Sequence, residues 1–435
     1  MWNHRWQALG FLFGAAVLAG CGGSNPQVQA PPTQPPPTQG PAAYVYVLGV
    51  SPISGTGSIF EYAIGSDNAL QPLSVPTVPA AIGAAQIVTD SSGLYVYVLN
   101  LPDTSTPSGL PPAPTISQFR VGPTGQLTAL APADVQIPVQ FPVEQPVYLT
   151  ADPQGQFLYA ALTPDYYILL GPGAPTPPPP VIMQFAIAAD GTLTPVSGGS
   201  VSTTQFRGPL VIDSTGSHAY LPNLASVAQF ALGSGGQLSA LQLGYAAIPD
   251  TQINGWFALS PNGQWAYVAA YPCGAGSEPP CGPLSLYQCT VNPDGTLTST
   301  AEPIVSISNL SLWQAVFSSD SSSAYVLATG EMSLSTGINQ IGEILQFTVD
   351  SSGRFSPASP APVELGPNGG VSEVSRGNDL FVLVEPAPGC LPQCTPTGAV
   401  VVHEVIQANG QLQTTNTSAV APGYSVVGMI VAPAN

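Results

Sequence analysis

The chain reads as an all-β protein, a seven-bladed β-propeller of four-stranded antiparallel blades, on three observations. A short turn followed by an apolar strand start recurs seven times, spaced from 45 residues (Leu193 to Leu238) to 66 residues (Leu127 to Leu193). A second turn, followed by a strand that alternates aromatic and aliphatic residues, precedes six of those seven. With 6% charged residues, 50 Pro and 46 Gly among 435, the composition suits many short connections and little helix. One copy cannot bury its own apolar faces, so the copies must pack together, and a closed ring of them reaches this size as one domain.

The first signature comprises SDNAL (ending at Leu70), PTGQL (Leu127), ADGTL (Leu193), SGGQL (Leu238), PDGTL (Leu297), SSGRF (Phe355) and ANGQL (Leu412). Asp, Asn and Gly supply the positive-φ positions of a hairpin turn, and the Leu or Phe starts a buried strand. The second turn begins at Asp90, Asp152, Asp213, Ser260, Ser319 and Ser375, with strands such as LYVYV and QWAYV behind it. Their alternation fits a strand between two packed faces.

Only six copies of the second turn exist because the first unit begins directly at Ala43 to Gly49, without a preceding strand. The segment Gly423 to Asn435, GYSVVGMIVAPAN, has the innermost-strand pattern and nothing after it. One C-terminal and three N-terminal strands then complete the seventh blade, and Val426 to Val431 should lie beside Tyr44 to Leu48. Such closure leaves no dangling blade. With strands named a to d from the axis outward, the a–b and c–d turns are tight and share one face. The b–c insertions, Asn100 to Thr115, Thr163 to Pro180, Tyr271 to Pro283, Thr329 to Gly342 and Glu385 to Gly398, share the other. Long loops gathered on one face of a rigid scaffold are where binding usually resides.

The N-terminus divides differently. Residues 1–20 have Arg5, an apolar run from Ala8 to Ala19 and the ending Leu18-Ala19-Gly20 before Cys21. The run is shorter than the about 20 residues a membrane-spanning helix needs and fits a secretory signal. The L-A-G-C ending resembles the bacterial lipobox, which implies lipidation of Cys21. Residues 21–42, rich in Pro, Gln and Thr, form a spacer of roughly 3 Å per residue where polyproline-like. The expectation is an exported lipoprotein of the bacterial cell envelope, in the periplasm or outer membrane, with residues 43–435 as a propeller held at the membrane by an N-terminal lipid.

The formal net charge is -18 and the sequence contains no Lys; Arg120, Arg207, Arg354 and Arg376 are the only strong cations after residue 42. Binding a nucleic-acid backbone or a phosphorylated metabolite needs clustered cations, so neither is expected. No D-x-D-x-D-G loop occurs, and Asp90, Asp152, Asp213 and Asp294 sit in turn motifs where a carboxylate accepts backbone hydrogen bonds. No metal and no cofactor are expected. No G-x-S-x-G elbow occurs either. His218 follows an a–b turn and His403 falls in a strand c, both read as structural positions. Glu144, Asp165, Glu278, Glu331 and Glu385 lie toward the long-loop face, as solvated carboxylates or as ligand contacts.

Cys273 and Cys281 share one b–c loop and Cys390 and Cys394 another, so export favours a local disulfide in each. Cys289 is left over as a small apolar strand residue. Phe141, Tyr166, Tyr167, Phe206, Tyr271 and Trp313 place aromatic area on the variable face, either as loop pins or as a surface for a sugar or a protein partner.

The D-x-x-G-x-x-x-Y-V turn and strand, then x-F-x-V, then D-G-x-L, resembles the seven-bladed β-propeller lactonase family, which includes 6-phosphogluconolactonases and muconate-lactonising enzymes. The resemblance covers about Ala43 to Asn435. It implies a site at four places: the family's P-R-H would fall near Phe206-Arg207-Gly208-Pro209-Leu210, its N-E at Pro222-Asn223-Leu224, its S-N-R-G at Ala269 to Pro272 and its P-R-D at Gly369 to Val371. Arg207 and Asn223 are the catalytic candidates this leaves, without the family's His or Glu. The expected function is therefore a binding or scaffold module, monomeric, whose long-loop face meets an envelope protein or a glycan. The alternative is a lactone hydrolase acting on an uncharged sugar lactone.

Overall fold

Antiparallel pairing organises the strands into seven sheets, each a propeller blade. The computed structural model describes residues 43–434 except 102–112, 139–143, 165–178, 249–251, 272–282, 301, 308–309, 331–341, 359–361, 366–367 and 387–397. The calls on Cys21, Phe141, Tyr166, Tyr167, Asp165, Glu278, Glu331, Cys273, Cys281, Cys390 and Cys394, and on the segments 1–20 and 21–42, lie outside these residues.

Blade 1 joins the two ends of the ring: strand a is Ser425–Pro433, b Ala43–Val50, c Thr56–Ile64 and d Leu70–Ile82. Ala43 pairs with Pro433, Val47 with Met429 and Val50 with Ser425, through a bulge at Val427. Blade 2 is Ala84–Thr89, Tyr95–Asn100, Thr115–Val121 and Leu127–Gln136; blade 3 is Glu144–Ala151, Phe157–Pro164, Val181–Ile187 and Leu193–Ser202. Blade 4 is Val211–Ile212, His218–Pro222, Ser226–Leu232 and Leu238–Ala247. Its inner strand is short because Pro209, just before it, has no N–H to give to a ladder. Blade 7 is Asn368–Arg376, Asp379–Pro386, Val400–Ile406 and Leu412–Ala419.

Blades 5 and 6 depart from the expected four strands in detail. Blade 5 has Gln252–Leu259, Trp265–Tyr271 and Leu284–Val291, and blade 6 has Leu310–Phe317, Ser323–Gly330 and Gly342–Val349. Each outer strand is broken in two, Leu297–Ser299 with Val305–Ile307 and Phe355–Pro357 with Val363–Glu364, all pairing with strand c. Pro303 lies inside the first break and Pro357 borders the second, and an edge strand is where proline is tolerated.

Seven clusters of buried apolar side chains fill the seven junctions between blades. The cluster that completes the ring packs Val45, Phe60 and Tyr62 of blade 1 against Phe381, Leu383 and Val401 of blade 7. Burial of this kind contributes about 25 cal/mol per Å² of apolar surface removed from water.

Hydrogen bonds add a directional clip to these apolar contacts. A Tyr at the centre of strand b donates to the carbonyl of the turn glycine in the next blade: Tyr46 to Gly125, Tyr97 to Gly191 at 2.8 Å, Tyr159 to Gly236, Tyr220 to Gly295, Tyr267 to Gly353 and Tyr325 to Gly410. Each of those glycines has φ between 76° and 85°, the left-handed region where glycine carries no steric penalty. Two residues before the Tyr, the rings of Tyr44, Tyr95, Phe157, His218 and Trp265 lie against the first five of these glycines. Beside the Tyr in strand c, Gln118, Gln184, Gln229 and Gln346 accept from the N–H of Leu193, Leu238, Leu297 and Leu412. The G-x-L signature is therefore fixed by the preceding blade as much as by its own turn.

Candidate functional site

Two of the four segments carried by the lactonase resemblance meet where the chain enters the inner strand of blade 4, while Ala269 to Tyr271 lie in strand b of blade 5 and Gly369 to Val371 in strand a of blade 7. The Arg207 N–H donates to the Pro222 carbonyl at 2.8 Å, and Phe206 bridges to Asn223. The Tyr148 hydroxyl donates to the Arg207 carbonyl at 3.3 Å, and the rings of Tyr148 and Phe206 lie 6.2 Å apart. Pro209 has no N–H to pair, and Phe206, Gly208 and Leu210 are buried, so the segment packs into the junction of blades 3 and 4.

The two candidates face opposite ways. Arg207 is exposed, whereas Asn223 is 3% exposed, and neither polar atom of its side chain has a hydrogen-bond partner. Its backbone N–H closes the tight b–c turn onto Ser226 at 2.7 Å. The ion pairs found among the described residues are His218–Asp213 and His403–Asp379, so Arg207 meets no carboxylate there. The exposed cation and the buried amide share a backbone contact rather than a common reaction centre.

Both histidines of the described ring are held in contacts of the fold. His218 Nδ1 sits 3.0 Å from Asp213 Oδ2, and its ring covers Gly295 of blade 5, where an added Cβ would come within 2.0 Å of His218 Cδ2. Asp213 is held below the usual carboxylate range: burial opposes this, but bonds from the Ser217 N–H, Thr215, and His218 outweigh it. His403 occupies the strand-c position that is Gln in most other blades. Its Nε2 lies 2.9 Å from Asp379 and its Nδ1 2.5 Å from Thr415, with the Phe381 ring 4.7 Å away.

The aromatic candidates divide. Phe206 is 8% exposed and packs in the junction of blades 3 and 4, and Tyr271 is half-buried against the core between blades 5 and 6. These two act as pins. Trp313 sits at the bulge between Leu312 and Gln314 of a strand a. Glu385 is not a solvated surface carboxylate: it is half-buried, and burial raises its pKa although Ser425 and the Val426 amide of blade 1 favour its charged form. Cys289 is fully buried, and burial pushes its thiol up to about 11.

The sequence reading missed three buried carboxylates, Glu61, Glu373 and Glu404. Glu61 fills the strand-c Gln position in blade 1, a signal legible once the Gln residues are aligned. Burial raises it to about 7, against the Leu127 N–H that donates to Oε1 at 2.7 Å. Glu373 lies within an inner strand, and burial holds it well above the usual range; the Leu327 and Val316 amides lean toward it, but neither oxygen completes a hydrogen bond. Glu404 accepts from Thr414 at 2.7 Å and is also raised by burial.

A cavity of about 360 Å³ opens on the tight-turn side, lined by Val211, Ile212, Phe257, Leu259 and Pro261 among others, and no titratable side chain lines it. No group of three or more His, Cys, Asp or Glu converges on a possible metal position among the described residues.

The fold has solved counterparts. Two Bacteroides proteins, each described as a "putative 6-phosphogluconolactonase", superpose over nearly their whole length. The one from Bacteroides uniformis has a TM-score of 0.59 at 15% identity, covering 90% of this chain and 99% of its own. The one from Bacteroides fragilis has a TM-score of 0.57 at 13% identity, covering 92% and 99%. A functionally unknown protein from Desulfotomaculum acetoxidans gives 0.55 at 12% identity, covering 90% and 99%. The shared property is the fold. No protein-family model matches the chain, and no curated protein does.

Proposed function

We propose that this chain is an exported, lipid-anchored propeller of the cell envelope that binds a protein or glycan through its b–c face. The observation that carries the reading is the gathering of insertions. Strands b and c are separated by 11 to 16 residues in blades 2, 3, 5, 6 and 7, whereas blades 1 and 4 turn within Ser51–Gly55 and Asn223–Ala225. A rigid ring carrying variable segments on one face suits recognition. His218 and His403 lie in blade contacts rather than beside Arg207, which favours binding over acid–base chemistry.

The test replaces the five insertions, singly and together, with the short turn of blade 4 and measures binding to a panel of envelope glycans and purified envelope proteins. Binding lost on trimming with the fold intact supports the reading, and binding that survives removal of all five contradicts it. Anchoring is tested separately by membrane fractionation, where Cys21→Ala should release the chain.

A second reading, lactone hydrolysis, is favoured by the likeness to the two Bacteroides structures and by the exposed Arg207 beside the Asn223 turn. In that case Arg207 would stabilise the developing oxyanion. Turnover of a sugar lactone that Arg207→Ala abolishes would establish it.

A further inference from the structure

We propose that Glu61 makes the junction of blades 1 and 2 a pH-sensitive seam of the ring, firm when its carboxyl is protonated and loosened when it ionises. The position is defined by its counterparts. Gln118, Gln184, Gln229 and Gln346 place a neutral amide oxygen on the first strand-d N–H of the following blade, and Gln288 donates instead to the Ser352 carbonyl. Glu61 alone puts a carboxyl in this role, with Oε1 on Leu127 and Oε2 buried without a partner.

Its surroundings favour the neutral acid. The side chain is fully buried, and apolar residues from Tyr44 and Ile59 to Phe119 and Leu127 fill the junction. From its own sheet it faces Tyr46, whose phenol donates to Gly125 and is pushed above its usual range by burial and by the Glu61 charge. The neighbouring Tyr44 hydroxyl reaches the Pro123 carbonyl. From blade 2 it meets the Leu127 N–H. No cation pairs with it among the described residues. A carboxylate formed here keeps one hydrogen bond and has an uncompensated charge, which is relieved only when the junction opens to water.

The sign follows from linkage. The folded group titrates at about 7 against an ordinary 4.5. A raised pKa contributes stability that is fully present below the ordinary value and is lost as pH rises through the folded one. Blade 1 is the blade closed by the two ends of the chain, with Ser425–Pro433 paired to Ala43–Val50, so loosening here opens the ring on one side of its closure while the packing against blade 7 is kept.

The test is hydrogen exchange on the full chain at about pH 5 and about pH 8, with protection corrected for the intrinsic exchange rate at each pH. Protection at Leu127 and in Ala43–Val50 and Thr56–Ile64 should fall on the order of 100-fold toward the higher pH in the wild type. It should stay flat in Glu61→Gln, which keeps the bond to Leu127. Moving the group, as Glu61→Gln with Gln118→Glu, should transfer the pH dependence to Leu193. A fall of the same size in Glu61→Gln, or no fall in the wild type, overturns the proposal.

Discussion

The phenol of Tyr97 in blade 2 donates a 2.8 Å hydrogen bond to the carbonyl of Gly191 in blade 3, and the ring of Tyr95 lies over the same glycine. The turn residue that is left-handed for the sake of its own hairpin is thus also the landing point of the neighbouring blade. Replacing that glycine strains the hairpin and lifts the ring together. Gly191→Ala should lose about 1–2 kcal/mol from the left-handed backbone and about 1–3 kcal/mol more from overpacking, since its Cβ would come 2.1 Å from Tyr95. Gly263→Ala, with φ of 68° but open space around it, should lose only the first part. Urea unfolding of the two variants measures the difference.

Tyr97→Phe removes a buried donor and leaves the Gly191 carbonyl without it, a loss of about 1–3 kcal/mol. Tyr95→Phe removes an exposed bond to the Ala189 carbonyl and should change stability by no more than about 0.5 kcal/mol. The pair isolates the buried hydroxyl from the ring, again by urea unfolding.

Stability should decline on the acid side because of the turn aspartates. Asp190, Asp294, Asp320 and Asp350 are each held below the usual range, first by a side-chain bond from Thr192, Thr296, Ser318 and Ser352 respectively. A depressed folded pKa contributes stability that is present above the ordinary value and is lost as pH falls through the folded one. Asp213 is lowered as well and is more buried than these four, so thermal unfolding followed below about pH 4 should show this limb flatten in Asp213→Asn.

Cys289 should resist alkylation in the folded protein at neutral pH, because its thiol is buried and titrates at about 11. Labelling that appears only with unfolding, followed by mass, confirms this, and rapid labelling of the native chain contradicts it.

Much of the ring is legible in the sequence because its period is carried by turns. Glycine and Asx residues at the hairpins count the blades, and the orphan strand after Gly423 gives the closure that Val47 and Met429 complete. The clip is less legible, since the Gln of strand c acts across a junction that no local pattern reveals; only its recurrence before Phe in Gln118-Phe119, Gln184-Phe185, Gln229-Phe230 and Gln346-Phe347 marks it. The broken outer strands of blades 5 and 6 depend on prolines at edges, where propensity says little about pairing. At the candidate site the resemblance singles out Arg207 and Asn223 one at a time, and it is the structure that joins their segments, through the backbone bond from Arg207 to Pro222. That the Arg207 side chain is exposed and the Asn223 side chain buried is set by tertiary packing, which sequence spacing does not carry.

The reading of this propeller as a binding module rather than a hydrolase is tested most directly by turnover. The purified chain is assayed with 6-phosphogluconolactone and with uncharged sugar lactones, beside Arg207→Ala and Asn223→Ala. The account predicts rates for all three proteins equal to spontaneous hydrolysis. Catalysed turnover by the wild type that falls away in Arg207→Ala would contradict it.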